Sequence, residues 1–138
     1  MPEGQSGAAS LAGKAVFRHV SIAVSDLERA RDFYGRILGL AEIPRPDLGV
    51  PGIWYGLDGG LQLHILAKPD PAGPQPQGQT FSLTDPHFAL ACSDVAATAA
   101  ALAAQGLKTF ENRPPGGGFA QVFVKDADGN MVEFIGPA

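Results

Sequence analysis

Two similar stretches of sequence decide the fold: HVSIAVSDL at residues 19–27 and HFALACSDV at residues 87–95. They lie 68 residues apart, and histidine, alanine, serine and aspartate stand at the same places in both. In each stretch, side chains alternate as they do along a half-buried β-strand, and a helical pattern follows. The chain is therefore predicted to contain one structural unit twice.

The ends of the two predicted helices are marked by serine and glycine. Ser25, followed by Asp-Leu-Glu28, has the spacing of a capping box, and Ser93 is predicted to cap the second helix. Gly39 and Gly106 come just after the helical patterns and predict their ends. Three extended segments follow each helix, near 41–45, 52–57 and 61–66 in the first half and near 108–112, 120–125 and 131–135 in the second. Each half is thus predicted to be a βαβββ module.

Proline and glycine separate the modules. Residues 1–14 are predicted to form a flexible lead-in, and residues 68–80, which hold four prolines, to form a linker. One module then spans residues 15–67 and the other residues 81–138, with 114–120 as a surface loop. The predicted fold class is α+β, in which two tandem modules form a curved, cup-shaped mixed sheet with the helices on the outer face.

Composition excludes several classes of protein. The 138 residues carry a formal net charge of −4 and no run of Lys or Arg, which argues against a nucleic-acid-binding surface. The single cysteine, Cys92, excludes an internal disulfide and a CxxC metal site. No apolar run approaches the roughly 20 residues of a membrane span, and the pattern of a secretory signal is absent from the first residues. We expect a cytoplasmic protein that binds neither nucleic acid nor membrane.

The three histidines and one glutamate stand at related places in the two modules. His19 and His87 lie on the first strand of each module, and strand alternation directs them away from the face that the helix covers. His64 and Glu133 lie on the last strand of each module, 45 and 46 residues after those histidines. If the modules face each other, the four side chains converge as ligands of one divalent metal ion, and imidazole with carboxylate suits Zn, Fe(II), Mn, Co or Ni.

One of these ligands has a competitor on its own strand. Gln62 shares the face of His64, and the 68-residue offset carries Glu133 to position 65, one residue beyond His64. A loop that differs by one residue would align the two, so we prefer His64, the stronger ligand, and keep Gln62 as its substitute. The alternative for each histidine is a hydrogen-bonded structural role. A buried glutamate is different, because it requires a partner or a metal.

Four stretches carry a resemblance to a known family: HVSIAVSDLERARDFYGRILGL, LQLHIL, HFALACSDV and DADGNMVEFI. Over residues 16–135 the chain resembles the vicinal oxygen chelate superfamily, and most of all its glyoxalase I-like members. The resemblance implies a homodimer whose cup-shaped sheet holds a divalent metal at His19, His64, His87 and Glu133. It also implies lyase or isomerase chemistry on a small substrate chelated through neighbouring oxygens, with Glu133 as the residue that carries a proton.

Three other functions in the same superfamily stay open. A non-haem Fe(II) extradiol dioxygenase would use His19, His87 and Glu133 as its facial triad, although the histidine of the fourth strand would fill a position that oxygen and catechol need. A bleomycin resistance-like protein would bind a planar drug without catalysis, although such proteins generally lack the metal ligands. A fosfomycin-type enzyme should show a basic cluster, and Arg45 and Lys68 are the only cations near the fourth strand.

Overall fold

The computed structural model describes residue 13 and residues 15–69 and 80–138, so the predicted lead-in and most of the predicted linker lie outside the described residues. The strands are His19–Val24 (β1), Ala41–Ile43 (β2), Gly52–Gly56 (β3), Gln62–Ala67 (β4), His87–Ala91 (β5), Thr109–Asn112 (β6), Phe119–Lys125 (β7) and Met131–Pro137 (β8). The first helix, Leu27–Ala30 (α1), continues as π-helical turns over Arg31–Ile37, and the second is Val95–Ala104 (α2). A short 3₁₀ turn covers Asp58–Gly60.

The described strands form two mixed sheets of four strands each. The first has the order β1-β4-β3-β2 and the second the order β5-β8-β7-β6. In each sheet the first and last strands of the module pair in parallel, and the remaining pairs are antiparallel. The predicted α+β fold with two βαβββ modules is confirmed. Each predicted strand is present, with its ends displaced by at most a few residues.

The predicted serine caps, Ser25 and Ser93, are wrong, because both helices are capped by the aspartate that follows the serine. Asp26 accepts the N–H groups of the second and third residues after it, at 2.9 and 3.1 Å. Asp94 accepts the N–H of Ala97 at 3.0 Å. A carboxylate both satisfies the free N–H groups and complements the positive end of the helix dipole, which a serine hydroxyl does only in part.

The core joins the two modules through the faces that their helices cover. One cluster of buried side chains takes members from both modules: Val24, Phe33, Tyr34, Ile53, Tyr55, Leu63, Ile65, Leu102, Val124 and Val132. Within it, the Tyr34 hydroxyl donates to Asp126 Oδ2 at 2.7 Å. Outside it, the Asn130 side-chain amide donates to the Ala23 carbonyl at 3.0 Å. These polar contacts fix the second module against the first.

We call the opposite face of each sheet its open face, because its edge strand is exposed there, although Phe123, Met131 and Glu133 of the second sheet are buried on that face. On β1, His19, Ser21 and Ala23 are exposed, and on β5 the alternate positions from His87 to Ala91 are exposed as well. All of the predicted metal ligands lie on these open faces, as the alternation along the strands predicts. Among the described helices, none has the length and apolar character that crossing a membrane would require.

Candidate metal centre

The register of the sheets relates the four predicted ligands in pairs. In the first sheet the partner of His19 on β4 is Gln62, and His64 comes two residues later. In the second sheet the partner of His87 on β8 likewise comes two residues before Glu133. His64 and Glu133 therefore stand at equivalent places in the two modules. The one-residue difference in sequence spacing belongs to the loops, which supports His64 over Gln62 as the ligand.

In the second module, the histidine and the glutamate are in contact. His87 Nε2 lies 3.1 Å from Glu133 Oε1. The other ring nitrogen, Nδ1, lies 2.7 Å from the Asp85 carbonyl oxygen, which can only accept, so Nδ1 carries the proton. The second carboxylate oxygen of Glu133 accepts the side-chain amide N–H of Gln121 at 2.8 Å. Glu133 is only 5% exposed, so these contacts replace its hydration.

The contacts of His87 and Glu133 suit a pair of metal ligands. With a proton on Nδ1, His87 turns Nε2 toward the carboxylate of Glu133, and Nε2 without a proton offers its lone pair there. Two acceptors side by side require a proton or a cation between them. A ligating histidine usually donates its other N–H to a carbonyl or carboxylate, and that is the role of the Asp85 carbonyl here. The donor set of the second module therefore fits a divalent cation.

In the first module, aromatic stacking holds the two histidines. The rings of His19 and His64 stack with centroids 4.1 Å apart. On the other side of His64 the indole of Trp54 stacks at 4.2 Å and 7° between planes. His64 Nε2 lies 2.8 Å from Gln62 Oε1, so Nε2–H donates to the amide oxygen and Nδ1 keeps the lone pair. The two imidazoles are adjacent, and Trp54 sets the plane of the second.

The surroundings of His64 favour its neutral form. Burial lowers the pKa of His64, and the nearby charges of His19 and Arg45 lower the pKa further. An imidazole must be neutral to bind a metal, so a lowered pKa reduces the competition with protons. The stacked histidines of the first module are thus suited to ligation.

The four predicted ligands do not meet within one chain. In the part of the chain that the structure describes, no three His, Cys, Asp or Glu side chains come together. His19 pairs with His64 on one open face, and His87 pairs with Glu133 on another. Each module therefore carries half of the predicted site. We refer to the first pair as the imidazole half-site and to the second as the carboxylate half-site.

Sequence analysis missed two contributors to the carboxylate half-site, Gln121 and the Asp85 carbonyl. Gln121 had a signal, because it is a polar residue between Phe119 and Phe123 on the open face of β7. A backbone carbonyl gives no such signal, since every residue has one.

Comparisons with known proteins identify the family of the chain. The profile of the Glyoxalase/Bleomycin resistance protein/Dioxygenase superfamily matches residues 16–134. The chain belongs to this superfamily. The predicted resemblance is thereby confirmed, because the vicinal oxygen chelate proteins are this group. Its members generally use a divalent metal and commonly act as dimers on small molecules.

Individual members of the superfamily resemble the chain more distantly. Glyoxylase I 4 of Arabidopsis thaliana is 28% identical over 118 residues, which cover 83% of this chain and 67% of that protein. A crystal structure of a glyoxalase family protein from Bacillus anthracis matches with a TM-score of 0.71 and 23% identity, over 90% of this chain and 96% of that one. The fosfomycin resistance protein FosX of Listeria monocytogenes matches with a TM-score of 0.69 and 17% identity, over 91% and 92% of the two chains. At such identities the two structures establish the shared fold alone.

Proposed function

We propose that the protein is a metal-dependent, glyoxalase I-like enzyme that acts as a lyase or isomerase on a small substrate with neighbouring oxygens. His19, His64, His87 and Glu133 would hold one divalent ion. The observation that carries the proposal is the contact between His87 Nε2 and the buried Glu133 carboxylate at 3.1 Å. A carboxylate this buried needs a proton or a cation at the ring nitrogen that it faces, and a bound metal ion would supply the positive charge.

A homodimer would complete the site, because one chain supplies each half-site on a separate sheet. The strands that carry His19 and His87 are β1 and β5, and both are edge strands of their sheets. An edge strand is free to lie beside a strand of another chain. A two-fold dimer would then place the imidazole half-site of one copy against the carboxylate half-site of the other, twice over.

The side chains have distinct tasks in this proposal. A divalent ion supplies Lewis acidity that stabilises negative charge developing on the substrate oxygens. Glu133 is the only carboxylate of the set, and it would accept a proton from a substrate carbon and return it. Gln121 donates to one oxygen of that carboxylate and so orients the other, and the Asp85 carbonyl orients the ring of His87. Trp54 covers His64 and excludes water from one side of its ring.

The test is the metal content of protein purified without added metal, together with a thermal melt before and after chelation. We expect one ion per chain and a lower melting temperature after chelation, because a ligand that binds only the folded state stabilises it. Glu133→Gln should weaken metal binding by about 100-fold or more, since even outer-shell partners of a metal change affinity by about 10–100-fold.

A matched control is Glu111→Gln. Glu111 is an exposed carboxylate on β6 of the same module, and it pairs with Arg113 at 3.1 Å, so its loss should leave metal content unchanged. Metal content that survives in Glu133→Gln would contradict the proposal. The identity of the ion then separates lyase chemistry from Fe(II) oxygen chemistry, which oxygen uptake with catechols would reveal.

A second candidate is binding of a planar drug without catalysis. The observation that favours it is the stack of Trp54, His64 and His19, whose rings are nearly parallel at 4.1 to 4.2 Å between centroids. A planar ligand could extend such a stack. This function predicts tight binding of a planar aromatic compound by a chain that retains no metal even after reconstitution.

A further inference from the structure

A cleft beside the first helix lies between the two modules. It is bounded by that helix, by the turn from α2 to β6 and by the turn from β7 to β8, and its volume is about 230 Å³. None of the four predicted metal ligands lines it. We call it the inter-module cleft, and its lining includes Arg29, Phe33, Ile37, Leu107, Lys108 and Asp126.

Part of this lining is apolar and continues into the core. Phe33 is 6% exposed and belongs to the core cluster that joins the modules, and Ile37 and Leu107 pack against that cluster. Drug-sized ligands occupy cavities of roughly 300–1,000 Å³, so a cleft of about 230 Å³ suits a smaller molecule. The apolar side chains would stabilise the body of such a molecule by removing it from water.

The two carboxylates of the lining already accept hydrogen bonds from other groups. Asp32 accepts N–H groups of the Arg36 guanidinium at both of its oxygens. Asp126 is 4% exposed, and its Oδ2 accepts the Tyr34 hydroxyl at 2.7 Å and the Asn130 side-chain amide at 2.9 Å. Its Oδ1 accepts two backbone N–H groups of the same turn. These contacts leave the cleft few acceptors with which to hold a cation.

Two cations of the lining, Arg29 and Lys108, remain able to bind an anion. The Lys108 ammonium is exposed and makes no ion pair or hydrogen bond among the described residues. Arg29 Nη2 lies 3.9 Å from Asp26 Oδ2, and about half of each side chain is exposed, so this pair is weak. The third cation, Lys125, is already used, because its Nζ donates to Asp85 at 3.2 Å.

We propose that the inter-module cleft binds a small carboxylate with an apolar body. The carboxylate would supply the acceptors that Arg29 and Lys108 lack, and the body would lie against Phe33, Ile37 and Leu107. The acidic residues of the lining disfavour a second negative charge on the ligand, so a singly charged anion fits better than a phosphate monoester. Because Arg29 and Lys108 belong to different modules, the bound anion would bridge the modules.

Benzoate is the probe for this site, because it joins a carboxylate to an apolar ring. Benzamide keeps the shape without the charge, and acetate keeps the charge without the ring. Isotope-labelled protein, as purified, is titrated with each compound at constant ionic strength, and NMR follows the backbone amides. We expect benzoate to shift the amides of Gly106, Leu107 and Ala127 in a saturable way. Benzamide and acetate should bind at least about fivefold more weakly.

Substitution of the two cations tests their role. Arg29→Gln and Lys108→Gln should each weaken benzoate binding by about two- to fivefold, because each removes one exposed charge contact, and the double variant should lose about tenfold. Arg113→Gln is the matched control, since Arg113 is an exposed arginine that pairs with Glu111 and does not line the cleft. It should bind benzoate like the wild-type protein. Thermal melts verify that all variants fold.

Three results would each overturn the proposed carboxylate site. They are equal benzoate affinity in the wild-type protein and the double variant, benzamide binding as tight as benzoate binding, and saturable shifts that are absent or confined to the half-sites. The proposed enzyme is tested separately, because none of its metal ligands lines the cleft. Metal content should therefore be the same in the wild-type protein and in all three single variants.

Discussion

The two modules share one frame and differ in what they place on it. In the first, two imidazoles stack on each other and on Trp54, and Arg45 lies beside them without a partner in the described residues. In the second, a histidine, a buried carboxylate and an amide form one chain of polar contacts through Glu133. One face is therefore aromatic and cationic, and the other holds the only carboxylate of the predicted ligand set.

The difference shows how a duplicated fold can divide one task between its copies. The register keeps His64 and Glu133 at equivalent places, so the frame fixes where a ligand stands. In the proposed function, the residue type would set the chemistry at that place, with a neutral donor from the imidazole and proton transfer by the carboxylate. The first module has no carboxylate at this place, so the proposed four-ligand site would need the open faces of both modules.

A complementation experiment with two chains, each lacking one half-site, tests most directly whether the two half-sites combine. One chain carries His19→Ala and His64→Ala, and the other carries His87→Ala and Glu133→Ala. We expect neither chain alone to bind metal. If sites form across a two-fold dimer, half of the dimers in an equal mixture are mixed, and each mixed dimer has one intact site of two, so metal content should recover to about one quarter of wild type.

Mass spectrometry of the intact dimers verifies that the chains have exchanged. Mixed dimers that bind no metal would contradict a site shared between chains, because their intact half-sites would then never meet. Wild-type protein taken through the same exchange procedure is the control, and it should keep its full metal content.

Substitutions of two tyrosines test how much the hydrogen bond between Tyr34 and Asp126 contributes to stability. Tyr34 is fully buried and donates to Asp126 Oδ2 across the module boundary at 2.7 Å, and both its burial and Asp126 raise the pKa of its hydroxyl, which therefore stays protonated. Tyr34→Phe should lower the free energy of unfolding by about 1–3 kcal/mol, since a buried hydrogen bond to a charged group is lost. Chemical denaturation measures it.

Tyr55→Phe is the control for that substitution. Its hydroxyl is buried without a hydrogen-bond partner among the described residues, so its removal should leave stability unchanged or raise it. A larger loss from Tyr55→Phe than from Tyr34→Phe would show that the hydrogen bond to Asp126 does not hold the modules together.

The helix caps give a smaller contrast between the modules. Asp26 accepts two backbone N–H groups and Asp94 accepts one, so Asp26→Ala should lower stability by about 1 kcal/mol and Asp94→Ala by less. Ser25→Ala is the control, because the Ser25 hydroxyl is buried and has no partner in the described part of the chain. Thermal melts rank the three variants, and a loss in Ser25→Ala equal to that in Asp26→Ala would restore the capping box.

Much of the fold followed from alternation and repetition in the sequence. The parity of β4 and β8 alone predicted that His64 and Glu133 lie on open faces, because a side chain two residues along a strand returns to the same face. The caps could not be decided in the same way. Ser25 and Asp26 are neighbours and both are good capping residues, so the choice depends on where the first turn begins.

Whether the four predicted ligands come together could not be predicted from the sequence, for a different reason. The alternation of side chains along a strand shows which face of the sheet a residue occupies. It does not show whether the open faces of the two sheets of one chain lie opposite each other. That depends on how the modules pack, which here is set by buried contacts on the opposite faces, such as Tyr34 with Asp126. The prediction of one four-ligand site in His19, His64, His87 and Glu133 therefore stays a prediction.

The smallest expected effect is a change in the pKa of His64 in the imidazole half-site. Burial against Trp54 contributes to lowering the pKa of His64, so Trp54→Leu, which uncovers the ring, should raise it, and Trp54→Phe should raise it less. NMR titration of the ring protons of the metal-free protein measures this pKa.

The lowered pKa of His64 also sets how the stability of the fold depends on pH. The unfolded chain takes up its proton first as pH falls below about 6.5, so the stability that neutral His64 contributes is present above that pH and is lost below it. Trp54→Leu should therefore reduce the acid sensitivity of the fold. A pKa of His64 that stays the same in Trp54→Leu would mean that the charges of Arg45 and His19, and not the indole, control the imidazole half-site.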